Sequence, residues 1–383
     1  MRIVYINDAL AIWGGLERIL VEKANELAER YDYEMFLLTA NQGEHQIPFP
    51  VSPKVIHTDL KIQFHKQYEY HGIRRLLKGM QLNRLFEHRL KEQIHEIKPD
   101  VIVCVRPEFA RIVSKVKGPV PFVFESHTSR YGQRFIQADL LKQAKSELYN
   151  YSVRSAQRVV VLTEGDAKDW QSINSCVQVI PNLVHLNLSR RYCNYDSKSV
   201  IFVGRFSPQK DIASLLEIWN LVHARHPEWQ LQIYGGFGEE QEELLPVIKA
   251  MDANIHVFEA TPQIFDRYMD NSIFLLTSRY EPFGLVLPEA MSCGLPVVAF
   301  DCPYGPADII SDGKDGFLIK DRNIQVFADK VCLLIEHPEL RRSMGQAGIL
   351  SSQRYDASII MPKWKHLFEQ LSSCYQNRII ISK

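Results

Sequence analysis

Two cations and two carboxylates stand at short, definite spacings in the second half of this 383-residue chain. Arg205 and Lys210 lie in GRFSPQKD. Glu281 and Glu289 lie in RYEPFGLVLPEAMSCGLP, with seven residues between them. A guanidinium can grip a phosphate with a fork of N–H groups, and an ammonium can hold one as a point charge. Both cations precede an expected helix start, where the backbone dipole ordinarily favours acids. An anion held between them resolves that conflict; two solvated surface cations are the plainer reading. The glutamates also have two readings. They are either favourable acids at a helix start or groups that hold a ligand.

The surrounding elements decide where these side chains can stand. SVIFVG (199–204) reads as a strand, and Asp211 is the expected N-cap of the helix that follows the GRFSPQKD loop. SIFLLTS (272–278) reads as another strand, with RYEPFG as its loop. Pro288 suits the first turn of the next helix, where its missing N–H costs nothing. Gly294 suits the C′ position and Pro296 follows, so that helix is short. The N–H groups of Phe283, Gly284 and Leu285 lie at its start, where helical partners are lacking. WQLQIYGG (229–236), NIHVFEA (254–260) and LPVVAFD (295–301) continue the series.

The first half repeats the pattern. RIVYIN (2–7) leads through AIWGG into a helix with Leu16, Ile19, Leu20, Ala24 and Leu27 on one face. YEMFLLTA (33–40), VIVCV (101–105), PFVFES (121–126) and RVVVLT (158–163) are unalternated apolar runs, as in parallel strands covered on both faces. The expected fold class is therefore α/β, with two doubly wound, Rossmann-like units facing across a cleft. Their spans are 1–182 and 183–359, with the polar stretch SRRYCNYDSKS (189–199) near the boundary. The tail SIIMPKWKHLFEQLSSCYQ reads as an amphipathic helix with Trp364, Leu367, Phe368 and Leu371 on one face. That helix, about 360–383, is expected to pack back toward the first unit and to brace the two. Ligands of such sheets bind at the carboxyl ends of the strands. Gly14 and Gly15 sit on one of those loops, as an anion-accepting helix start or as a tight turn. Neither half has GxGxxG, which disfavours a dinucleotide oxidoreductase.

Composition narrows the class. Hydrophobic content of 46% and charged content of 23% describe a globular protein. Acids and bases balance at 45 each, so no global field argues for nucleic acid. The seven cysteines are scattered without CxxC, which suggests reduced thiols and no zinc site. The N-terminus has no long apolar region, so no signal peptide is expected. No stretch reaches the roughly 18 apolar residues of a membrane span. A cytoplasmic protein, or one resting on the inner face of the plasma membrane, is the expectation.

GRFSPQKD together with EPFGLVLPEAMSCGLPVVAFD resembles the retaining glycosyltransferases of family 4, which have the GT-B fold. Their signature is an E-x7-E pair preceded by a G-R-x4-K loop. Gly14-Gly15 with Glu17, the PN at 181–182 and DGKDGFLI (312–319) match as well, so the resemblance covers nearly the whole chain. DCPYGPADII (301–310) is similar to a variant in bacterial enzymes of surface-polysaccharide and lipid-linked-oligosaccharide assembly.

The resemblance implies roles. Arg205 and Lys210 would hold the donor diphosphate, beside Gly204. Glu289 would accept hydrogen bonds from both ribose hydroxyls, and Glu281 would bind hydroxyls of the transferred sugar. The backbone of Phe283, Gly284 and Leu285 would meet sugar and phosphate. Gly15 would let its loop approach the diphosphate. Gly14 and His127 would lie on the acceptor side, with His127 near the anomeric carbon. Backbone near Ala260 and Thr261 would meet the base. The implied catalytic set is Arg205, Lys210, Glu281 and His127, with no metal and no cofactor. The sugar comes from a nucleotide sugar, with UDP favoured over GDP, and goes to a saccharide or lipid-linked acceptor. Retention would proceed by front-face displacement, because both glutamates are occupied with hydroxyls. An acceptor-independent nucleotide-sugar hydrolase or epimerase and a non-catalytic sugar-binding protein are the alternatives.

One basic stretch stands apart. Residues 61–98 interleave Lys and Arg with Phe64, Leu76, Leu77, Met80, Leu82, Leu85 and Phe86. This is either a solvated helix face or a segment that lies on an anionic membrane.

Overall fold

The computed structural model describes residues 1–136, 140–187, 189, 191–235 and 238–381. Gly236 of the expected strand 229–236, Arg190 of the polar stretch and the last two residues of the tail lie outside the described residues. The chain divides into two compact units. One comprises Met1–Leu162, Asp166–Leu183 and Ala357–Lys383; the other comprises Thr163–Gly165 and Val184–Asp356.

The first unit is built on seven parallel strands. They are β1 Arg2–Asn7, β2 Glu34–Thr39, β3 Val55–Asp59, β4 Val101–Cys104, β5 Phe122–Glu125, β6 Arg158–Val161 and β7 Val177–Val179, in the spatial order β3-β2-β1-β4-β5-β6-β7. Ile3 pairs with Met35 on one side and Val101 on the other. The inner strands carry apolar residues at successive positions because helices cover both faces. On one face Val4, Ile6, Ile102, Phe122 and Val159 pack with Phe86, Leu90, Phe109 and Trp170. The helix Gly15–Arg30 buries Ile19, Leu20, Ala24 and Leu27. The final helix, Ala357–Ile381, joins the same unit and buries Trp364, Leu367 and Phe368. Burying each such side chain contributes roughly 1.5–3 kcal/mol.

The second unit has six parallel strands: β8 Ser199–Val203, β9 Gln230–Tyr234, β10 Ile255–Phe258, β11 Ile273–Leu276, β12 Val297–Phe300 and β13 Gly316–Ile319. Their order is β10-β9-β8-β11-β12-β13. Trp219, Leu215 and Val222 of the helix Ile212–Arg225 pack with Phe202, Ile233, Leu275 and Phe300 in its core. The chain order reverses between β8 and β11, which pair directly through Phe202 and Leu275. Loops leaving two such neighbours open a crevice at the carboxyl end of the sheet. GRFSPQKD follows β8 and RYEPFG follows β11, so the topology brings the two segments together.

Three strands were not anticipated. β3 and β7 are the edges of the first sheet and are only partly buried. β13 is a four-residue edge strand of the second sheet, directly after the turn DGKD. β3 and β7 are short and half-polar, without the apolar run that marks central strands, and β13 offers only four residues beside a turn.

Candidate active site

The β8 loop begins at Gly204, whose N–H donates to Tyr234 O at 2.9 Å. A Cβ at this position would crowd the Phe202 ring at 3.1 Å and Lys210 Cδ at 3.3 Å. Gly235, which the sequence reading did not single out, matters equally. It has φ +127°, and a Cβ there would lie 2.4 Å from Gly204 O. Glycine is therefore required at the end of β9, while at the end of β8 a Cβ would sit tightly against two side chains.

Arg205 is exposed and, among the described residues, makes no ion pair. Lys210 is not a second free cation. Its Nζ lies 2.5 Å from Glu281 Oε1. Asp211 caps the helix Ile212–Arg225 as expected, accepting from Ser214 N and from Ser214 Oγ at 2.8 Å. It does so in the left-handed region, at φ 51°. Its buried carboxylate also takes Arg279 at 3.1 Å and Arg322 at 2.5 Å. The conflict inferred between cations and helix dipole is therefore met largely from within: Asp211 supplies the negative charge at the helix start, and Glu281 neutralises Lys210. Arg205 is the cation left available to an outside anion.

The β11 loop places Glu281 by several bonds. Ser278 Oγ donates to Glu281 Oε1 at 2.7 Å. The backbone of Glu281 donates to Pro303 O and accepts from Tyr304 N and Gly305 N at 2.8, 2.8 and 3.0 Å. The segment after β12 thus holds the first glutamate, and Gly305 is required there because a Cβ would fall 1.8 Å from Phe283 O. Phe283 itself is buried edge-on against Tyr355 at 5.2 Å, so only its backbone can serve a ligand. Gly284 has φ +90°. Leu285 caps the seven-residue helix Val286–Ser292, and Gly294 follows it at φ +85°. Glu289 stands on that helix, nearly buried, with Tyr268 OH donating to its Oε2 at 3.4 Å. Tyr268 was missed because nothing in the spacing of FDRYMD distinguishes a core tyrosine from a partner of Glu289.

Arg322 is the other residue that sequence reasoning missed. It donates to Ser278 O at 2.8 Å and Thr277 O at 3.0 Å while pairing with Asp211, and its guanidinium stacks 4.3 Å over Phe300. Thr277 Oγ1 in turn donates to Lys210 O at 2.9 Å. One arginine after β13 thus ties the Lys210 loop to the Glu281 loop.

In the first unit, Gly14 is the N-cap of the helix Gly15–Arg30. A Cβ on Gly14 would lie 2.4 Å from a carboxylate oxygen of Glu17. The glycine there makes room for a first-turn acid that folds back over it. His127 lies two residues past β5, largely buried, with Nε2 2.7 Å from Glu125 Oε1. The alignment is too poor for a hydrogen bond, so the contact is Coulombic. Glu125 is fully buried and also pairs with buried Lys23. Burial pushes the Glu125 carboxyl up, but Lys23 and then His127 outweigh it and hold it at about 2. The His127 loop is anchored on its other side by Asp166, which accepts from Arg130 N at 2.9 Å. Burial raises the Asp166 carboxyl to about 7, against that backbone hydrogen bond.

The basic stretch forms a 3-10 turn, Phe64–Glu69, and a helix, Gly72–Ile97. Its apolar residues divide. Leu82 and Phe86 are core, and Phe64 and Leu85 pack against it. Ile73, Leu76, Leu77 and Met80 are exposed on the first turns, beside Arg74 and Arg75. The amphipathic stripe expected over 61–98 therefore narrows to residues 73–80. Among the described residues, no helix is long and apolar enough to cross a membrane.

Two parallel-sheet Rossmann-like units define the GT-B class. Residues 13–188 match the family model described as Glycosyltransferase Family 4, and residues 193–350 match Glycosyl transferases group 1. The two models together span most of the chain, which is a glycosyltransferase. It is 29% identical over 384 residues to the amylovoran biosynthesis glycosyltransferase AmsD of Erwinia amylovora, covering 96% of this chain and 99% of that protein. Its fold is similar to that of a mutant TarM of S. aureus in complex with fondaparinux, alpha-GlcNAc-glycerol and UDP. That TM-score is 0.78 at 16% identity, covering 96% and 99% of the two chains. HepE of Anabaena in complex with UDP gives 0.74 at 17% identity, covering 97% and 100%.

Proposed function

We propose that this glycosyltransferase moves a sugar, with retention, from a UDP-sugar to a saccharide or lipid-linked saccharide in bacterial polysaccharide assembly. The observation that carries the reading is the meeting of the β8 and β11 loops, which puts Arg205, Lys210, Glu281 and Glu289 on one unit at its topological switch point. The UDP in the TarM and HepE complexes and the biosynthetic role of AmsD supply donor and setting by similarity.

In this reading the diphosphate takes Arg205 and Lys210. Once Lys210 turns to phosphate, Glu281 is released to accept hydrogen bonds from the sugar. Glu289 accepts from the ribose diol, and the backbone of Phe283, Gly284 and Leu285 meets sugar and phosphate. Breaking the anomeric C–O bond leaves charge on the diphosphate, where fixed cations stabilise it most. The departing phosphate oxygen takes the acceptor's proton on the face that it leaves. Arg205 and Lys210 supply the charge stabilisation, so the reaction is proposed to proceed without a metal or cofactor. Gly14, Gly15 and His127 on the first unit serve acceptor and diphosphate. The exposed apolar residues 73–80, with Arg74 and Arg75, rest on an anionic cytoplasmic membrane surface, which suits a lipid-linked acceptor.

The test is donor turnover with UDP-, GDP- and ADP-sugars, with and without a lipid-linked saccharide and EDTA, and with product anomers read by NMR. The expected result is acceptor-dependent release of UDP, unchanged by EDTA, with the donor's anomeric configuration kept. Acceptor-independent release would favour the hydrolase reading, and an inverted product would overturn retention.

A further inference from the structure

We propose that Lys23 and Glu125 are positioning residues for His127, holding its ring through a charge contact buried in the first unit. This rests on the reading that His127 meets the substrate. Glu125 closes β5, and its Oε1 is shared between Lys23 Nζ and His127 Nε2. Lys23 and Glu125 are 1% and 0% exposed. The Lys23 ammonium also lies 4.2 Å over the Trp364 ring of the final helix and 5.5 Å from the Tyr5 ring.

A buried ion pair is poor structural glue, because desolvation takes back most of the Coulombic gain. A pair kept for stability alone saturates its remaining polar atoms. This one does not: Glu125 Oε2 and Tyr5 OH are buried with no hydrogen-bond partner among the described residues. The pair does have one directed consequence. It sets an ionised carboxylate against the edge of a ring two residues away. The backbone of that loop is fixed separately. Ser126 N donates to Val160 O at 2.8 Å and Ser126 Oγ to Thr128 O at 3.0 Å. With the backbone held by those bonds, the orientation of the ring is what Glu125 has left to determine.

The test has two arms on the full chain. The first needs no substrate: ring-15N histidine NMR, with His127 assigned by its loss in His127→Ala. Glu125→Asp keeps a buried carboxylate to balance Lys23 but shortens its reach by one methylene, which draws it back from the ring. It is expected to shift or broaden the His127 signals and leave those of the other histidines in place. Unchanged His127 signals would overturn the proposal. The second arm is a cycle of Lys23→Met/Glu125→Leu against His127→Ala, read as UDP release from UDP-N-acetylglucosamine or whichever UDP-sugar is turned over.

The expected result is a 10-fold or greater fall in kcat for the double variant, with donor KM within twofold and no further fall in the His127→Ala background. Equal losses in both backgrounds, or no loss, would overturn the proposal. If His127→Ala alone leaves kcat intact, the substrate-contact reading of His127 fails instead. Should Lys23→Met/Glu125→Leu not fold, Glu125→Asp takes its place in the cycle.

Discussion

Lys210 and Glu281 hold each other, so in the proposed function a donor's diphosphate and sugar hydroxyls would have to compete with an existing ion pair for both groups. That pairing was out of reach of the sequence, which showed two spacings, G-R-x4-K and E-x7-E, but not that a member of one would close on a member of the other. Asp166 was also invisible, since an acid in TEGDAKDW reads as an ordinary exposed helix residue. Its carboxyl is raised to about 7, first by burial. The folded state then binds a proton that the unfolded state has released. Stability from this group is full below about pH 4 and is lost as pH rises through about 7. The expected cost above pH 7 is up to roughly 4 kcal/mol. Asp166→Asn keeps an acceptor for Arg130 N and removes the charge. Its melting temperature should exceed wild type at pH 8, with the gap closing toward pH 5. Parallel curves for the two proteins would contradict the assignment.

At the scale of elements, the central strands were legible because covered parallel strands are continuously apolar, and the short helix Val286–Ser292 was legible from Pro288 and Gly294. What joins the loops was not. Arg322 lies beyond β13, over a hundred positions from Asp211, and no local pattern announces that pairing. Arg322→Ala is expected to leave the fold intact and weaken nucleotide binding about 10-fold, because two carbonyls and the Asp211 carboxylate lose their common donor. Isothermal titration with UDP checks this; binding equal to wild type would contradict it. The helix Gly72–Ile97 shows the limit of reading amphipathicity from composition, since most of its apolar length is core. Arg74→Glu with Arg75→Glu should abolish sedimentation with anionic vesicles. Retained sedimentation would remove the membrane surface from the account.

For the whole molecule, two series of apolar runs separated by a polar stretch told of two doubly wound units, and each unit is one by its own strand order. The edge strands β3 and β7 escaped because little of their surface is buried, and β13 because it offers only four residues beside a turn. The four side chains proposed to bear the chemistry lie on the loops after β8 and β11 and on the short helix Val286–Ser292, where local spacing made them visible while their distant supports were not. The central claim is that this unit holds a nucleoside diphosphate through Arg205 and Lys210 and a ribose through Glu289. Calorimetric titration of UDP into wild type, Lys210→Ala and Glu289→Ala tests it most directly. Each lost charge-assisted bond is worth roughly 1.5–3 kcal/mol, so both variants should bind about 10-fold or more weakly while keeping the wild-type fold by circular dichroism. UDP binding of equal strength in all three proteins would contradict the account.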